Sequence, residues 1–153
     1  MPETRMDLTA RQHEQCGRAL FNFVWTLLEK PGRSDDETEL MISAAHASAL
    51  HWLQGGTPVN FARSQWQIAR ACAVAGRGEP ALHHASRCLK ICQENGIGGF
   101  DLAFAYEALA RAHAVAGEPQ HVQRFLEVAR EAGGRIEDDE QRSLFLEELD
   151  TVV

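Results

Sequence analysis

Several things are missing from this sequence of 153 residues, and each absence excludes something. No apolar run approaches the roughly 20 residues needed to cross a bilayer, and the segment Met1–Leu8 carries no apolar stretch of the signal-peptide kind. Neither a membrane partner nor export is expected, which leaves the cytoplasm as the expected compartment. Basic side chains are in deficit: 15 Lys and Arg face 22 Asp and Glu, a formal charge of -7 with neutral His. A phosphate backbone is repelled by that balance, so nucleic acid is not an expected partner. Cys16, Cys72, Cys88 and Cys92 form no CxxC pair, and the chain is long and apolar enough to fold without disulfide staples. They read as unpaired thiols packed like small hydrophobes. Enzyme signatures are missing too: there is no GxSxG elbow, no GxxxxGK[ST] phosphate cradle and no HExxH zinc motif. Catalysis is not expected, nor is a cofactor.

No segment alternates apolar and polar residues like a half-buried strand; the whole chain reads with helical period. A first helix is expected from about Thr9 to Lys30, with Leu20, Phe21, Val24, Leu27 and Leu28 as its apolar stripe and Pro31-Gly32 as its stop. Ser34-Asp35-Asp36-Glu37 forms a capping box for a second helix to about Gln54, with Leu40, Ala44, Ala47, Leu50 and Leu53 read as inward. Gly55-Gly56-Thr57-Pro58 ends that helix and starts a third, which reaches about Ala75. A fourth runs from about Glu79 to Glu94 and a fifth from Asp101, placed to cap it, to Ala116. Between them the glycines of Gly96-Ile-Gly98-Gly99 serve as a breaker. A sixth helix starts at Pro119 and stops at Gly133-Gly134, and a seventh covers Glu137 to Asp150, with Leu144, Phe145 and Leu149 apolar and four carboxylates in its first turn. The expectation is an all-α domain of about seven helices.

Internal repetition sets how those helices are arranged. Ala69-Arg-Ala-Cys-Ala-Val-Ala-Gly76 returns 41 residues later as Ala110-Arg-Ala-His-Ala-Val-Ala-Gly117, and the same offset pairs Ala81 with Val122, Ala85 with Leu126 and Cys88 with Ala129. Each unit is a helix of small residues, a glycine-bearing turn and a second helix folded back on the first. Alanine lets the two axes approach closely, and a lone pair cannot cover its own apolar face, so units must stack.

Here the sequence resembles the tetratricopeptide repeat family. Tyr106, Leu109, Ala110 and His113, then Val122, Leu126 and Ala129, stand at that family's signature spacings; Gln65, Ile68, Ala69 and Cys72, then Ala81, Ala85 and Cys88, stand there one unit earlier. Trp66 is one residue late for the family's aromatic, the terminal proline is absent, and the spacing exceeds the family's roughly 34 residues. The resemblance covers Asn60 to Gly133. It implies stacked antiparallel hairpins in a superhelix: residues 9–54 as a divergent first hairpin, 58–133 as two repeat-like hairpins, and 137–150 as a capping helix.

The resemblance further implies a concave groove, lined by the first helix of each pair, that takes a peptide. Arg63, Trp66, Arg70, Ala73 and Val74 would face it from one unit, and Phe104, Glu107, Arg111, Ala114 and Val115 from the next. Arg70 and Arg111 become stacked guanidinium forks suited to a carboxylate, so an acidic partner segment is the expected ligand; the plainer reading has both pairing with Glu107 or another nearby carboxylate. On the first view both arginines are dispensable for folding. His84, Cys88 and Cys92 form a row of soft ligands, but the close-spaced pairs that zinc sites use are absent, and no metal is expected. His113 reads as a buried neutral ring with one hydrogen-bond partner, and Trp25 and Trp52 as core residues packing on each other.

The expectation is a non-catalytic protein-interaction module. One alternative is a helical-bundle enzyme or metal-dependent protein with His46, His51 and a carboxylate in one pocket; another is a homodimer formed through the groove.

Overall fold

The computed structural model describes residues 6–152, so the reading of the N-terminal segment as leaderless falls largely on residues outside that range. Seven helices follow one another among the described residues, with no strand: α1 (Ala10–Glu29), α2 (Asp35–Gly55), α3 (Pro58–Val74), α4 (Gly78–Glu94), α5 (Gly99–Val115), α6 (Pro119–Gly134) and α7 (Asp139–Leu149). None of them is long and apolar enough to cross a membrane.

Local chemistry starts and stops these helices. The Ser34 Oγ accepts the Glu37 amide at 3.1 Å while the Glu37 carboxylate accepts the Ser34 amide at 2.9 Å, the expected capping box. Thr9 and Gln12 build a second such box at the start of α1. Asp101 does not cap α5; that helix begins two residues earlier, behind Gly98, and Asp101 is left to pair with Arg63. The two copies of the repeated octapeptide end their helices identically. Gly76 and Gly117 take φ of 75° and 73°, a left-handed conformation that costs little only for glycine. The amides that follow, of Arg77 and Glu118, close six-residue loops onto the carbonyls of Cys72 and His113 at 2.9 and 3.0 Å.

Helices pair in chain order, α1 with α2, α3 with α4 and α5 with α6, as antiparallel hairpins stacked one on the next. The first helices of the pairs make one side of the molecule, with α3 between α1 and α5, and α7 caps the end by resting on α5 and α6. Small residues fill the seams: Ala69, Ala71, Ala73, Ala108 and Ala112 share one cluster with Ala81 and Ala85. In α2 this preference keeps Ala44 of the expected stripe inside, leaves Ala47 half-buried and turns the leucines out. Leu40, Leu50 and Leu53 point outward, each more than two-fifths exposed, whereas Met41, Ala44, Ala45, Ser48, Ala49 and Trp52 are buried. Two helices approach most closely on their small-residue faces, and close approach decided burial here ahead of hydropathy.

Trp52 is buried over Gly17 at the α1–α2 seam, beneath the Arg18 guanidinium, and does not meet Trp25. The cap is seated by a comparable device. Phe145 of α7 is fully buried, edge-on to Phe104 at 4.9 Å, and a Cβ on Gly133 of α6 would stand 2.3 Å from its ring. Only a residue without a side chain lets α7 sit that low. Gly133→Val is therefore expected to cost about 2 kcal/mol or more, read as a lowered melting temperature by circular dichroism. Gly134→Ala, whose Cβ would meet nothing within 4 Å, should leave the melt unchanged or slightly raised; equal behaviour of the two variants would contradict this seating of α7.

Candidate functional site

Aromatic residues recur along the inner face of α1, α3 and α5, and stacking the hairpins turns them into a continuous run of rings. Phe21 meets Trp25 edge-on at 6.5 Å, Trp25 lies against Trp66 at 5.7 Å, Trp66 meets the edge of Phe104 at 5.6 Å, and Phe104 meets Phe100 at 4.7 Å. These rings form the floor of a cavity of about 610 Å³. Leu144 and Gln141 of α7 supply one wall, and Glu29, Arg63, Asp101 and Glu148 supply the charged groups. Leu144 is half exposed, so the groove opens to solvent on that side.

Beside the groove lies a carboxylate with no exposed surface. Glu107 accepts from Trp66 Nε1 at 3.0 Å, from Arg70 Nη1 at 3.1 Å and from Arg111 Nε at 2.7 Å. Both guanidiniums continue onto the cap. Arg70 Nη2 donates to Glu148 Oε2 at 2.5 Å, and Arg111 Nη2 donates to the Thr151 hydroxyl at 2.7 Å and the Glu148 carbonyl at 3.2 Å. Arg70 also lies over the Trp66 ring, 5.6 Å from its centre. A buried anion with two guanidiniums on one oxygen and an indole N–H on the other fixes the indole, the two helices and α7 in one arrangement. At the rim, Arg63 holds Asp101 with two bonds of 2.8 and 3.2 Å, and that carboxylate keeps the guanidinium protonated still more firmly than usual.

Of the ten residues expected to face the groove, the structure brings six together, in two groups, and leaves Ala73, Val74, Ala114 and Val115 outside the cavity lining. Arg63, Trp66 and Phe104 line the cavity, while Arg70, Glu107 and Arg111 form the network that abuts it. The plainer reading of the arginines is the one the geometry shows: their forks are engaged within the chain and hold a buried charge. Phe21, Trp25, Glu29, Phe100 and the α7 wall escaped sequence reasoning. A signal for two of them existed. The 41-residue offset, carried back one unit, puts Trp25 under Trp66 and Glu107, and Glu29 under Arg70 and Arg111.

The histidines fall into three separate groups. His13 and His51 meet across α1 and α2 with their Nδ1 atoms 2.9 Å apart, so one carries the hydrogen and the other accepts it. His84 stacks edge-on with His46 and His83 and turns Nδ1 to the side-chain Oε1 of Gln65 at 2.7 Å. His113 lies flat on Phe125, beside His121. Its Nδ1 is buried without the expected hydrogen-bond partner; the Glu118 carboxylate stays 3.8 Å away. His46 and His51 therefore belong to different groups and build no common pocket. Among the described residues no cluster of three or more His, Cys, Asp or Glu could hold a metal ion. Cys88 and Cys92 turn inward beside Ala62 and Ala105, and contact with Cys92 followed by burial pushes the Cys88 thiol up, away from the nucleophilic thiolate.

Comparison with known proteins returns nothing: no protein-family model, no curated protein and no solved structure matches the chain.

Two outcomes are expected from this geometry. Glu107→Ala leaves two guanidiniums and an indole N–H without their acceptor in a poorly solvated place, and should cost about 3–5 kcal/mol in urea unfolding; a loss below about 1 kcal/mol would show that the network does not hold the fold. Burial, aided by neighbouring histidines, holds His51 and His84 below the ordinary histidine value of 6.5, with His84 at about 4; burial lowers His113 as well, against the pull of Glu118. Above pH 6.5 these rings are neutral in both the folded and unfolded chain. As pH falls toward 4 the unfolded chain takes up protons that the folded one refuses, and stability is lost. His84→Gln should therefore make the decline between pH 6.5 and 4 shallower in chemical denaturation; an unchanged slope would exclude His84 as a contributor.

Proposed function

We propose that this chain is a non-catalytic protein-interaction module, resembling a short tetratricopeptide-type array, that takes a segment of a partner protein into the aromatic groove. One observation carries the reading: a solvent-open cavity of about 610 Å³ has its floor made of five aromatic rings on three successive first helices. Large rings on a preformed surface give apolar contact at little entropic cost, the usual make-up of an interaction hot spot. The fixed hydrogen bond of Trp66 to Glu107 adds preorganisation, which lowers the cost of binding. Four unpaired thiols, three of them buried, support a cytoplasmic location for such a module.

Leu144 provides the test, because it walls the groove and half of it is already in solvent. Random displayed peptides selected on the wild-type protein should yield binders that lose roughly tenfold or more in affinity on Leu144→Asp, while the variant's melting temperature stays within a few degrees. Binders indifferent to Leu144→Asp, or no binders, would overturn the reading. Sedimentation distinguishes the remaining occupant: a dimer that becomes monomeric on Leu144→Asp would assign the groove to a second copy of the chain.

A further inference from the structure

We infer that the side chain this groove accepts is a cation, the arginine or lysine of a partner segment with apolar neighbours. The inference rests on the groove reading and fixes its chemistry, in place of the acidic segment that the sequence suggested. The guanidiniums at and beside the groove are already engaged. Arg63 is held by both oxygens of Asp101, Arg70 spans Glu107 and Glu148, and Arg111 spans Glu107 and the α7 end. A partner carboxylate arriving here would meet guanidiniums already bonded to carboxylates, and drawing Arg70 or Arg111 away would strip donors from a fully buried anion.

The unspent charge is negative. Across the groove and the network beside it, the carboxylates of Glu29, Asp101, Glu107 and Glu148 outnumber the three guanidiniums. Glu29 is exposed and takes part in no ion pair among the described residues, and the Glu148 side chain keeps 37% of its surface in solvent while bonded to Arg70. Glu29 stands at the register position that Arg70 and Arg111 fill in the later units, so the groove changes sign at its α1 end.

The aromatic floor favours the same ligand. A ring face carries negative potential and attracts an ammonium or guanidinium, most strongly for tryptophan. The protein itself uses this contact three times among the described residues, Arg70 over Trp66, Arg18 over Trp52 and Arg124 over Phe125, whereas Trp25 has no such partner among them. A basic side chain laid along Trp25 would rest its methylene stem on the ring and carry its charge toward Glu29. The overall charge of -7 would draw such a segment in from a distance.

The selection described above supplies the probes. Peptides enriched on the wild-type protein should share an Arg or Lys between apolar residues. A synthetic peptide of that consensus should lose roughly tenfold in affinity, about 1.4 kcal/mol, when its arginine is replaced by uncharged citrulline. Glu29→Gln should produce a comparable loss, and Glu29→Lys a larger one, with unchanged circular dichroism. Leu144-dependent peptides that are acidic or neutral, or whose affinity ignores both citrulline and Glu29→Gln, would overturn the cationic ligand and leave the groove reading standing. A selection that yields no Leu144-dependent peptide would remove both.

Discussion

A carboxylate without solvent is costly unless both its oxygens meet donors, and Glu107 meets three, one of them an indole and two of them charged. That requirement reaches through the tertiary structure. It fixes the height of α3 against α5, because Trp66 and Arg70 must both reach an anion on the neighbouring helix. It also brings α7 down, because the two guanidiniums have donors left over, which Glu148 and Thr151 accept. The close approach of those helices depends in turn on alanines in the seams and on Gly133, which leaves room for the Phe145 ring.

The groove is a consequence of this clamp. Trp66 has one edge tied to Glu107 and its face covered by Arg70, and its ring forms the middle of an aromatic run from Phe21 to Phe100. Rings that would be loose on an isolated helix are held at fixed angles to one another. The capping helix adds a wall and no lid, since Leu144 reaches only far enough to leave half of itself in water. Groove and scaffold therefore share residues: the arginines that look from the sequence like a receptor for anions are engaged within the chain, and the cavity beside them is lined mainly by aromatic rings and carboxylates.

The histidines show the same division between composition and placement. Seven in one chain invite a metal or a catalytic pocket, yet the fold distributes the rings over three seams, each against another ring or an amide. Packed this way, His51, His84 and His113 favour the neutral state and make acid an opponent of the folded chain.

Helix number, most helix ends and the hairpin order were legible in the sequence, because glycine turns, capping boxes and 3.6-residue periodicity act over a few neighbouring residues and need no knowledge of the rest of the chain. The 41-residue echo was likewise sufficient to bring Arg70, Glu107 and Arg111 onto one side, since stacked units place equivalent positions as neighbours. Tertiary structure alone decided which face of α2 is buried, where Leu40 and Leu50 lost to alanines and serine, because helices come together along the faces that permit close approach. It also decided that the two arginines turn inward and that α7 completes the groove, because an ion pair is chosen by distance and access to water, and neither quantity exists until the helices have met.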